Sequence, residues 1–464
     1  MTDINQNNNH DNVVGNDQNP SRAKFIIGSL LGFGLFLLPI PDGGAFNIPI
    51  GFIIRRVESL LIVGDVNLSI WFSFALITIS LLLTIMAYTV KPGFIENNEY
   101  ARNLFRSHPV YFISKIIGVA VVWMVVFNFG PEQVTSEFTG GLMVNILIAG
   151  LFPIFLLFAF AMPFLTEFGA MEFIGTLIRK FVRVLFTLPG RASIDLMASW
   201  FGSSATAVII SRGQLERGYY TRREAAAICV NFSVVSVPFS FVVASTIGIQ
   251  EFFVPWYLII AATCFVIAVI LPRIWPLRGI ADTYLEDVGK QIQEEAPEGI
   301  SNFKYAVKLA TERANKTTLN GAAKSGLRVY LDVFMDLFPI IVSWGTIGLL
   351  IEAHTPIFRW LSWPFGQYMV LLGVPDATTY ASATVVGFID MFIPAFLIGS
   401  APVQTQFIIG ALSIVQIIYM AETGVLIAKS KIPLNVPKLF ILFVMRTVIA
   451  LPIIVLLTNI FMNF

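Results

Sequence analysis

The side chains most able to do chemistry in this sequence are polar groups that interrupt apolar stretches. They form one set in each half of the chain, and we treat them as candidate substrate- or ion-binding residues. The first set carries hydroxyls and an amide: Ser203, Ser204, Thr206, Asn231, Ser233 and Ser236. The second set adds two carboxylates, an amide and a phenol: Asp390, Gln416, Tyr419 and Glu422. A polar group among apolar side chains is costly unless something binds it, so both sets predict a site for a small polar solute or an ion.

Asp390 is the sharpest candidate of the second set. It ends the short run Gly387–Asp390, where a carboxylate in apolar surroundings can bind a coupling cation, a proton or a substrate amine. The alternative is that Asp390 caps the N-terminus of a following helix. In the first set, Asn231 can donate and accept hydrogen bonds at once, which suits either a polar solute or a helix cap. The hydroxyls of Ser203, Ser204 and Thr206, at the tip of the first hairpin, would lie at half-helix ends, whose N-termini favour anionic groups.

Two further carboxylates, Glu167 and Glu352, each end an apolar stretch at nearly matching positions. We treat them as candidate gate residues, and the alternative is that they are solvated groups at the ends of membrane spans. Other chemistry has less support. The two cysteines, Cys229 and Cys264, lie in apolar stretches without a CxxC or Cys/His cluster, so we expect no metal site and no cofactor. Without an HExxH or GxSxG motif, we expect no catalytic residues and no enzyme.

The elements that position these residues must lie in a membrane. Hydrophobic residues make up 56% of the chain and charged residues only 13%, against about 25% charged in soluble domains. Many stretches approach the ~20 apolar residues that cross a bilayer. We predict an all-α polytopic membrane protein with about nine transmembrane helices: 25–40, 66–90, 110–129, 142–166, 226–248, 252–275, 329–351, 403–422 and 438–460. A net charge of +1 argues against a nucleic-acid partner.

The chain contains a weak internal sequence repeat, whose two copies are offset by 186 residues. The run Leu151–Ile154 recurs as Leu337–Ile340, and Gly213 recurs as Gly399. Each copy contains an apolar span, a surface helix, a polar segment interrupted by Pro and Gly, and a second apolar span. We interpret the polar segments, within 169–224 and 354–402, as re-entrant helical hairpins, because irregular backbone at membrane depth requires cover from protein or water. Repeats interrupted at corresponding positions point to a transporter and its binding site, and the alternative is chance similarity between apolar segments.

Basic residues predict the orientation of the spans. An N-terminus inside the cell places all but three of the 30 lysines and arginines on the cytoplasmic side, as the positive-inside rule expects. They lie at Arg22 and Lys24 and within 91–115, 169–224, 273–328 and 429–446, and the exceptions are Arg55, Arg56 and Arg359. The two copies are then inverted relative to each other, which gives a physical route to alternating access.

We predict five regions along the chain. They are a disordered Asn/Asp-rich tail (1–20), N-terminal transmembrane helices with an interfacial segment at 41–65 (21–140), repeat 1 (141–275), a cytoplasmic loop (276–328) and repeat 2 (329–464). The tail is not expected to be a secretory signal, because no basic region precedes an apolar one there.

A family resemblance begins at Ser199. It is carried by Trp200–Val208, by Tyr220–Ala225 after a basic turn, and by Asn231–Val237. These segments resemble the "nucleoside recognition" Gate-domain superfamily, and over roughly 140–460 the chain is most similar to its YjiH-type proteins. It is more distantly similar to concentrative nucleoside transporters, the gate of the FeoB ferrous-iron transporter and spore maturation proteins. The resemblance implies paired re-entrant hairpins and broken helices around a site at the membrane midplane.

The resemblance does not extend to the substrate. Where concentrative nucleoside transporters read Gly-Gln-Thr-Glu-Ala-Pro, this chain reads Gly202–Ala207, with Ala205 in place of the glutamate that would bind ribose. A sodium-ligand asparagine of those transporters falls near Ala198 here. Nucleoside specificity and sodium coupling are therefore not implied, whereas the fold is.

Together these features predict a secondary active transporter in a bacterial cytoplasmic membrane. Its substrate would be a small polar or charged metabolite that is nucleoside-like, amino-acid- or peptide-like, or an organic ion, with Na⁺ or H⁺ as coupling ion. The alternative is a non-transport membrane subunit or a sensor of a spore-maturation-like assembly. Its partners would be the lipid bilayer and either further copies of itself or a second Gate-type membrane protein.

Overall fold

The computed structural model describes residues 22–38, 40–42, 45–106, 109–190, 192–201, 204–235, 237–285 and 299–462. Within these ranges the chain is mainly helical, and its strands are limited to two short antiparallel hairpins. The strands are β1 (Ile40–Asp42) with β2 (Ala45–Asn47), and β3 (Ile62–Val63) with β4 (Val66–Asn67). The predicted all-α class is confirmed.

The N-terminal region contributes three long helices and several short ones. They are α1 (Arg22–Leu37), α2 (Pro49–Leu61), α3 (Leu68–Thr89), α4 (Gly93–Glu96), α5 (Glu99–Phe105), α6 (Pro109–Val126) and α7 (Glu132–Thr135). In α2, which lies within the predicted interfacial segment, Ile50, Gly51 and Ile54 are buried, whereas Arg55 and Arg56 are exposed. This helix is therefore amphipathic and carries its two arginines on the outside of the protein.

The first repeat begins with a π-helical turn (Leu142–Ile148). It continues with α8 (Ala149–Thr166), α9 (Ala170–Phe186), α10 (Ala192–Phe201), α11 (Ser204–Glu216), α12 (Arg222–Asn231), α13 (Val237–Thr246), a 3₁₀ turn (Gln250–Phe252), α14 (Phe253–Ile270) and 3₁₀ turns at Leu271–Arg273 and Leu277–Gly279. The connecting segment contributes α15 (Asn302–Lys316).

The second repeat follows the same order. It comprises α16 (Leu319–Asp332), a π-helical turn (Val333–Leu337), α17 (Phe338–His354), α18 (Ile357–Leu371), α19 (Ala383–Val386), α20 (Ile393–Leu397), α21 (Val403–Val415), a π-helical turn (Met420–Gly424), α22 (Val425–Ala428) and α23 (Val436–Met462). Each copy thus has a π turn, a long helix, a surface helix, a hairpin of two short helices, an interrupted helix and a final long helix.

Among the described residues, seven helices are long and apolar enough to cross a membrane, which confirms a polytopic membrane protein. They are Leu68–Thr89, Pro109–Val126, Leu142–Thr166, Gln250–Gly279, Leu319–His354, Val403–Ala428 and Val436–Ile460. The two remaining predicted spans are α1, which is shorter than the others, and 226–248, which the structure divides into α12 and α13. The total of about nine spans stays a prediction. The predicted loop at 276–328 ends early, because the helix that it precedes already begins at Leu319.

Glycines allow the long helices of the two repeats to touch. A Cβ atom on Gly326 of α16 would lie 2.5 Å from the carbonyl oxygen of Ala159 in α8. A Cβ on Gly118 of α6 would lie only 1.9 Å from the carbonyl oxygen of Pro339 in α17. Small residues let helix backbones approach in membranes, where van der Waals packing rather than the hydrophobic effect drives association. The first helix of repeat 2 is held in this way against repeat 1 and the N-terminal helices.

Candidate functional site

Both repeats contain a helix that is interrupted at a corresponding place. In repeat 1, α12 ends at Asn231 and α13 begins at Val237. In repeat 2, α21 ends at Val415, Ile417 has a φ of 63°, and helical structure resumes at Met420. The sequence predicted continuous spans here, whereas the resemblance implied broken ones. Each break leaves backbone carbonyls and amides buried, and such groups need hydrogen-bond partners.

Arg446 of α23 supplies partners to both breaks. Its Nη1 donates to the carbonyl oxygen of Val230 at 2.7 Å and to Oδ1 of Asn231 at 3.0 Å. Its Nε and Nη2 donate to the carbonyl oxygen of Val415 at 3.0 and 2.7 Å. Arg446 has 0% exposure, and these acceptors are all neutral oxygens. The side chain therefore ties the C-terminal end of α12 to that of α21.

Asn231, a predicted site residue, is oriented by this arrangement. Its Nδ2 donates to the carbonyl oxygen of Ala227 at 2.9 Å, which turns Oδ1 towards Arg446. The amide thus uses both its donor and its acceptor within the protein. These contacts are with the backbone of its own helix and with Arg446, and a contact of Asn231 with a solute stays a prediction.

Gln416 is the first residue of the break in repeat 2, directly after α21, and only part of its hydrogen-bonding capacity is used. Its Nε2 donates to the carbonyl oxygen of Thr384 at 2.7 Å and to Oγ1 of Thr447 at 2.8 Å. Its buried Oε1 finds no hydrogen-bond partner within the described part of the chain. Gly387 in the hairpin provides the room, because a Cβ there would lie 2.4 Å from Oε1. An acceptor left unsatisfied in this way costs about 1–3 kcal/mol, so it requires an explanation such as a bound ligand or water.

Ser233 occupies the break of repeat 1 and shows the same feature. Its side chain is buried, and its Oγ has no partner among the residues that the structure describes. Each break therefore presents one buried polar atom that the protein leaves available. Ser233 and Gln416 are the predicted residues whose contacts fit solute binding best.

The hairpin between α19 and α20 docks onto the break in repeat 2. The amides of Met420 and Ala421 donate to the carbonyl oxygens of Phe388 and Ile389 at 2.8 and 3.0 Å. These two hydrogen bonds join the turn at the hairpin tip to the π turn of the interrupted helix. A movement of the hairpin would therefore displace the backbone at the break.

Asp390 lies at the same tip and is buried. Its Oδ1 accepts a hydrogen bond from the amide of Phe392 at 2.8 Å, two residues further along the chain and just before α20. Glu422, in the π turn of repeat 2, lies close enough to act on Asp390 electrostatically. The role of Asp390 in binding a cation, proton or amine stays a prediction.

Tyr419 is part of the scaffold of the second break. Its hydroxyl group lies 2.8 Å from the carbonyl oxygens of both Ser413 and Ile414 and accepts from the amide of Ile417 at 3.3 Å. These hydrogen bonds connect the last turn of α21 to the residues that follow it. The structure gives this side chain backbone partners, so its predicted contact with substrate stays a prediction.

The first hairpin carries several predicted residues. Ser203 and Ser236 lie outside the described residues; Ser204 and Thr206 belong to α11, and their side chains are not described. The hairpin is anchored at Asp195, whose Oδ2 accepts from the hydroxyl of Tyr220 and from Nε2 of Gln214. The placement of the hydroxyl groups at a binding site therefore stays a prediction.

Each hairpin packs against the interrupted helix of the other repeat. Helix α11 of repeat 1 contacts the π turn Met420–Gly424 and α22 of repeat 2. Helix α20 of repeat 2 contacts α13 of repeat 1, where the rings of Phe239 and Phe392 lie 5.8 Å apart. The elements that carry the two predicted sets of polar residues are therefore brought together, although they are far apart in sequence.

The candidate gate residues have different partners. Glu352 accepts through Oε1 from the hydroxyl of Ser382, just before α19, at 3.3 Å. Glu167 ends α8, and its carbonyl oxygen accepts from the hydroxyl of Thr317 at 2.8 Å. Glu352 thus contacts a hairpin, whereas Glu167 contacts the connecting segment. A paired action of the two carboxylates stays a prediction.

Arg446 and Lys115 are the buried charges that the sequence analysis missed. Both were counted among the cytoplasmic basic residues, yet the structure places them at 0% exposure within α23 and α6. The signal was present, because each lies in or directly beside a predicted span, and a charge at membrane depth indicates function by default. The described residues contain no group of three or more His, Cys, Asp or Glu side chains that could hold a metal ion.

Comparisons with known proteins agree with the predicted family. The model of the Gate family, described as "Nucleoside recognition", matches residues 148–250, which contain α8 to α13. A curated protein of Alkalihalophilus pseudofirmus, named as uncharacterized, is 42% identical over 444 residues, which is 95% of each chain. A solved structure of a doubly substituted CNTnw in an outward-facing state is 16% identical and covers 94% of this chain and 100% of its own, with a TM-score of 0.37. That score is too low to place residues of one chain on those of the other.

Proposed function

Because this chain belongs to the Gate-domain family of membrane proteins, we propose that it is a secondary active transporter of a small polar or charged metabolite. The observation that carries this proposal is that Arg446 joins two interrupted helices, each of which has an available buried polar atom at its break. Interrupted helices at the interface of two repeats are where secondary transporters bind their substrates. The protein acts by transport and not by catalysis, and it lies in a bacterial cytoplasmic membrane with its N-terminus inside.

The available atoms indicate what the solute must offer. Gln416 Oε1 is an acceptor, and the hydroxyl of Ser233 can donate or accept. A solute with both N–H or O–H donors and an acceptor satisfies these atoms. Nucleoside-like, amino-acid- or peptide-like solutes and organic ions remain the candidate classes, with H⁺ or Na⁺ as the driving ion.

The cross-packing of the hairpins supplies a route to alternating access. Each hairpin rests on the interrupted helix of the other repeat, so a movement of one repeat opens one side of the site while the other side stays covered. Repeats of inverted orientation can exchange such conformations. This exchange is the proposed transport cycle.

A solute screen on purified full-length protein tests the proposal. We expect one class among nucleosides, amino acids, dipeptides and organic ions to raise the melting temperature and to be taken up by proteoliposomes under an ion gradient. If no solute stabilises the protein and none is taken up, transport is contradicted. Stable co-purification with a second Gate-type protein would then favour the alternative of a membrane subunit.

Variants of Asp390 separate the charge of its carboxylate from its hydrogen bond to the backbone. Asp390→Asn keeps an oxygen that can accept from the Phe392 amide, so we expect near wild-type stability. If the carboxylate carries the coupling charge, uptake falls at least tenfold and loses its dependence on pH. Asp390→Ala removes this acceptor as well and costs a further ~1 kcal/mol of stability. Unaltered uptake and pH dependence in Asp390→Asn would show that Asp390 only accepts the hydrogen bond of the Phe392 amide.

A further inference from the structure

Arg446 stands out because, within the described part of the chain, its hydrogen-bond partners include no carboxylate. Four hydrogen bonds join its guanidinium to the carbonyl oxygens of Val230 and Val415 and to Oδ1 of Asn231. These acceptors belong to the last turn of α12 and the last turn of α21. The guanidinium therefore sits between the C-terminal ends of two half-helices that come from different repeats.

Helix dipoles explain how the site tolerates a full positive charge. The C-terminal end of a helix carries about −0.5 elementary charge, and its last carbonyls have no partner within the helix. Two such ends meet at Arg446, so together they offset roughly one unit charge. Without a cation between them, the two ends would repel each other and leave buried carbonyls unsatisfied.

The orientation of the acceptors shows that the site is built for this side chain. Asn231 is held by Ala227, which directs its Oδ1 to Arg446, and Val415 receives two N–H groups from the fork of the guanidinium. On the same stretch of α23, Thr447 accepts from Gln416, so the residue after Arg446 also contacts the second break. Arg446 has four of its five donors satisfied in this arrangement.

In secondary transporters, unwound carbonyls and the C-terminal ends of half-helices are the groups that coordinate coupling cations. We propose that Arg446 is a tethered cation that replaces a bound metal ion between the C-terminal ends of α12 and α21, so that this protein needs no sodium ion there. Arg446 is a positioning residue: it fixes the two breaks and leaves Ser233 and Gln416 for the solute. The part of this inference that concerns coupling rests on the proposed transport function.

Removal of the guanidinium provides the test. Arg446→Ala leaves two helix ends without a cation, and we expect a lower melting temperature of the purified protein. Guanidinium chloride at low millimolar concentration should recover most of that loss, because the free ion fits the vacated place, whereas choline chloride at the same ionic strength should not. Recovery by Na⁺ would also support the inference, because it would show an ion site between the helix ends.

Charge and shape are separated by two further variants. Arg446→Lys keeps the charge but lacks the planar fork, so we expect partial stability and no response to guanidinium. Arg446→Met keeps much of the volume without charge, and we expect it to be as unstable as Arg446→Ala. Val448→Ala, on the exposed face of the same helix, is the control and should behave as the wild type. If Arg446→Met is as stable as the wild type, the charge is not needed and the inference is wrong.

Measurements on the wild-type protein also test the inference, even if the variants cannot be purified. We expect its melting temperature and its uptake to be the same in sodium and in choline salts. A requirement for Na⁺ in both would overturn the inference but leave transport intact. Conversely, rescue by guanidinium without any uptake would support the tethered cation and contradict the proposed transport function, so the two failures are distinguishable.

Discussion

Lys115 shows how a single buried charge is balanced at the residue scale. Its Nζ lies 2.6 Å from Oδ1 of Asp336 and donates to the carbonyl oxygen of Leu104 at 3.2 Å. Lys115 has 0% exposure, whereas the side chain of Asp336 is 43% exposed. The buried Lys115 cation therefore depends on its carboxylate partner more than the half-exposed Asp336 depends on the cation.

This asymmetry predicts unequal effects of the two single substitutions. Asp336→Asn leaves the Lys115 cation buried without its carboxylate and should cost about 3–5 kcal/mol. Lys115→Met should reduce the free energy of unfolding by less, because water can hydrate the exposed part of Asp336. We predict that Asp336 lies near the cytoplasmic end of its helix. Thermal and denaturant unfolding of purified protein measure the difference.

An exposed ion pair supplies the control for this prediction. Lys308 and Glu312 lie 3.9 Å apart on the surface of α15, so Lys308→Met should change stability by no more than about 1 kcal/mol. Equal stability of Asp336→Asn and Lys115→Met would show that the burial of the cation does not set the cost.

At the element scale, two glycines in similar helices predict effects of opposite sign. Gly118 of α6 has no room for a Cβ, because the carbonyl oxygen of Pro339 lies against it. Gly118→Ala must push α6 away from α17 and should destabilise by about 1–3 kcal/mol. Gly150 of α8 has open space around its Cα, so Gly150→Ala should stabilise by about 0.5–1 kcal/mol through the better helix propensity of alanine.

Melting temperatures of the two glycine variants, purified in the same detergent, check this prediction. Gly213 of α11 also has open space and offers a second substitution that should not destabilise. A stable Gly118→Ala protein would mean that α6 and α17 are not in backbone contact. Such a result would remove one of the contacts that hold repeat 2 against the N-terminal helices.

At the scale of the whole molecule, the orientation in the membrane is testable by labelling. We expect Glu137→Cys, in the exposed turn after α7, to react with an impermeant maleimide on intact cells. Lys308→Cys of α15 should react only after permeabilisation, because the positive-inside rule places that segment in the cytoplasm. The reverse pattern would overturn the predicted topology. The native Cys229 and Cys264 are buried and should contribute little background.

The same order of elements recurs in the two repeats, and the five regions predicted along the chain stay predictions. The π turn before each long helix and the hairpin before each interrupted helix recur in both repeats. The sequence repeat of Leu151–Ile154 and Leu337–Ile340 marks corresponding places near the start of α8 and α17. Local sequence is enough for this, because apolar length and helix-breaking residues act within a few turns.

The sequence by itself determined the membrane class, most of the spans, the two surface helices and the positions of the hairpins. Hydropathy and the placement of Pro and Gly are local properties, and each of these features depends on them. Only the tertiary structure decided where the spans at 226–248 and 403–422 break and which polar groups remain available there. Arg446 and Asn231 are 215 positions apart, so the partner that stabilises each break is supplied by a distant helix. A buried carbonyl without a hydrogen bond costs free energy, and here the tertiary structure supplies the hydrogen bond from a distant side chain. Local sequence patterns do not show which side chain that is.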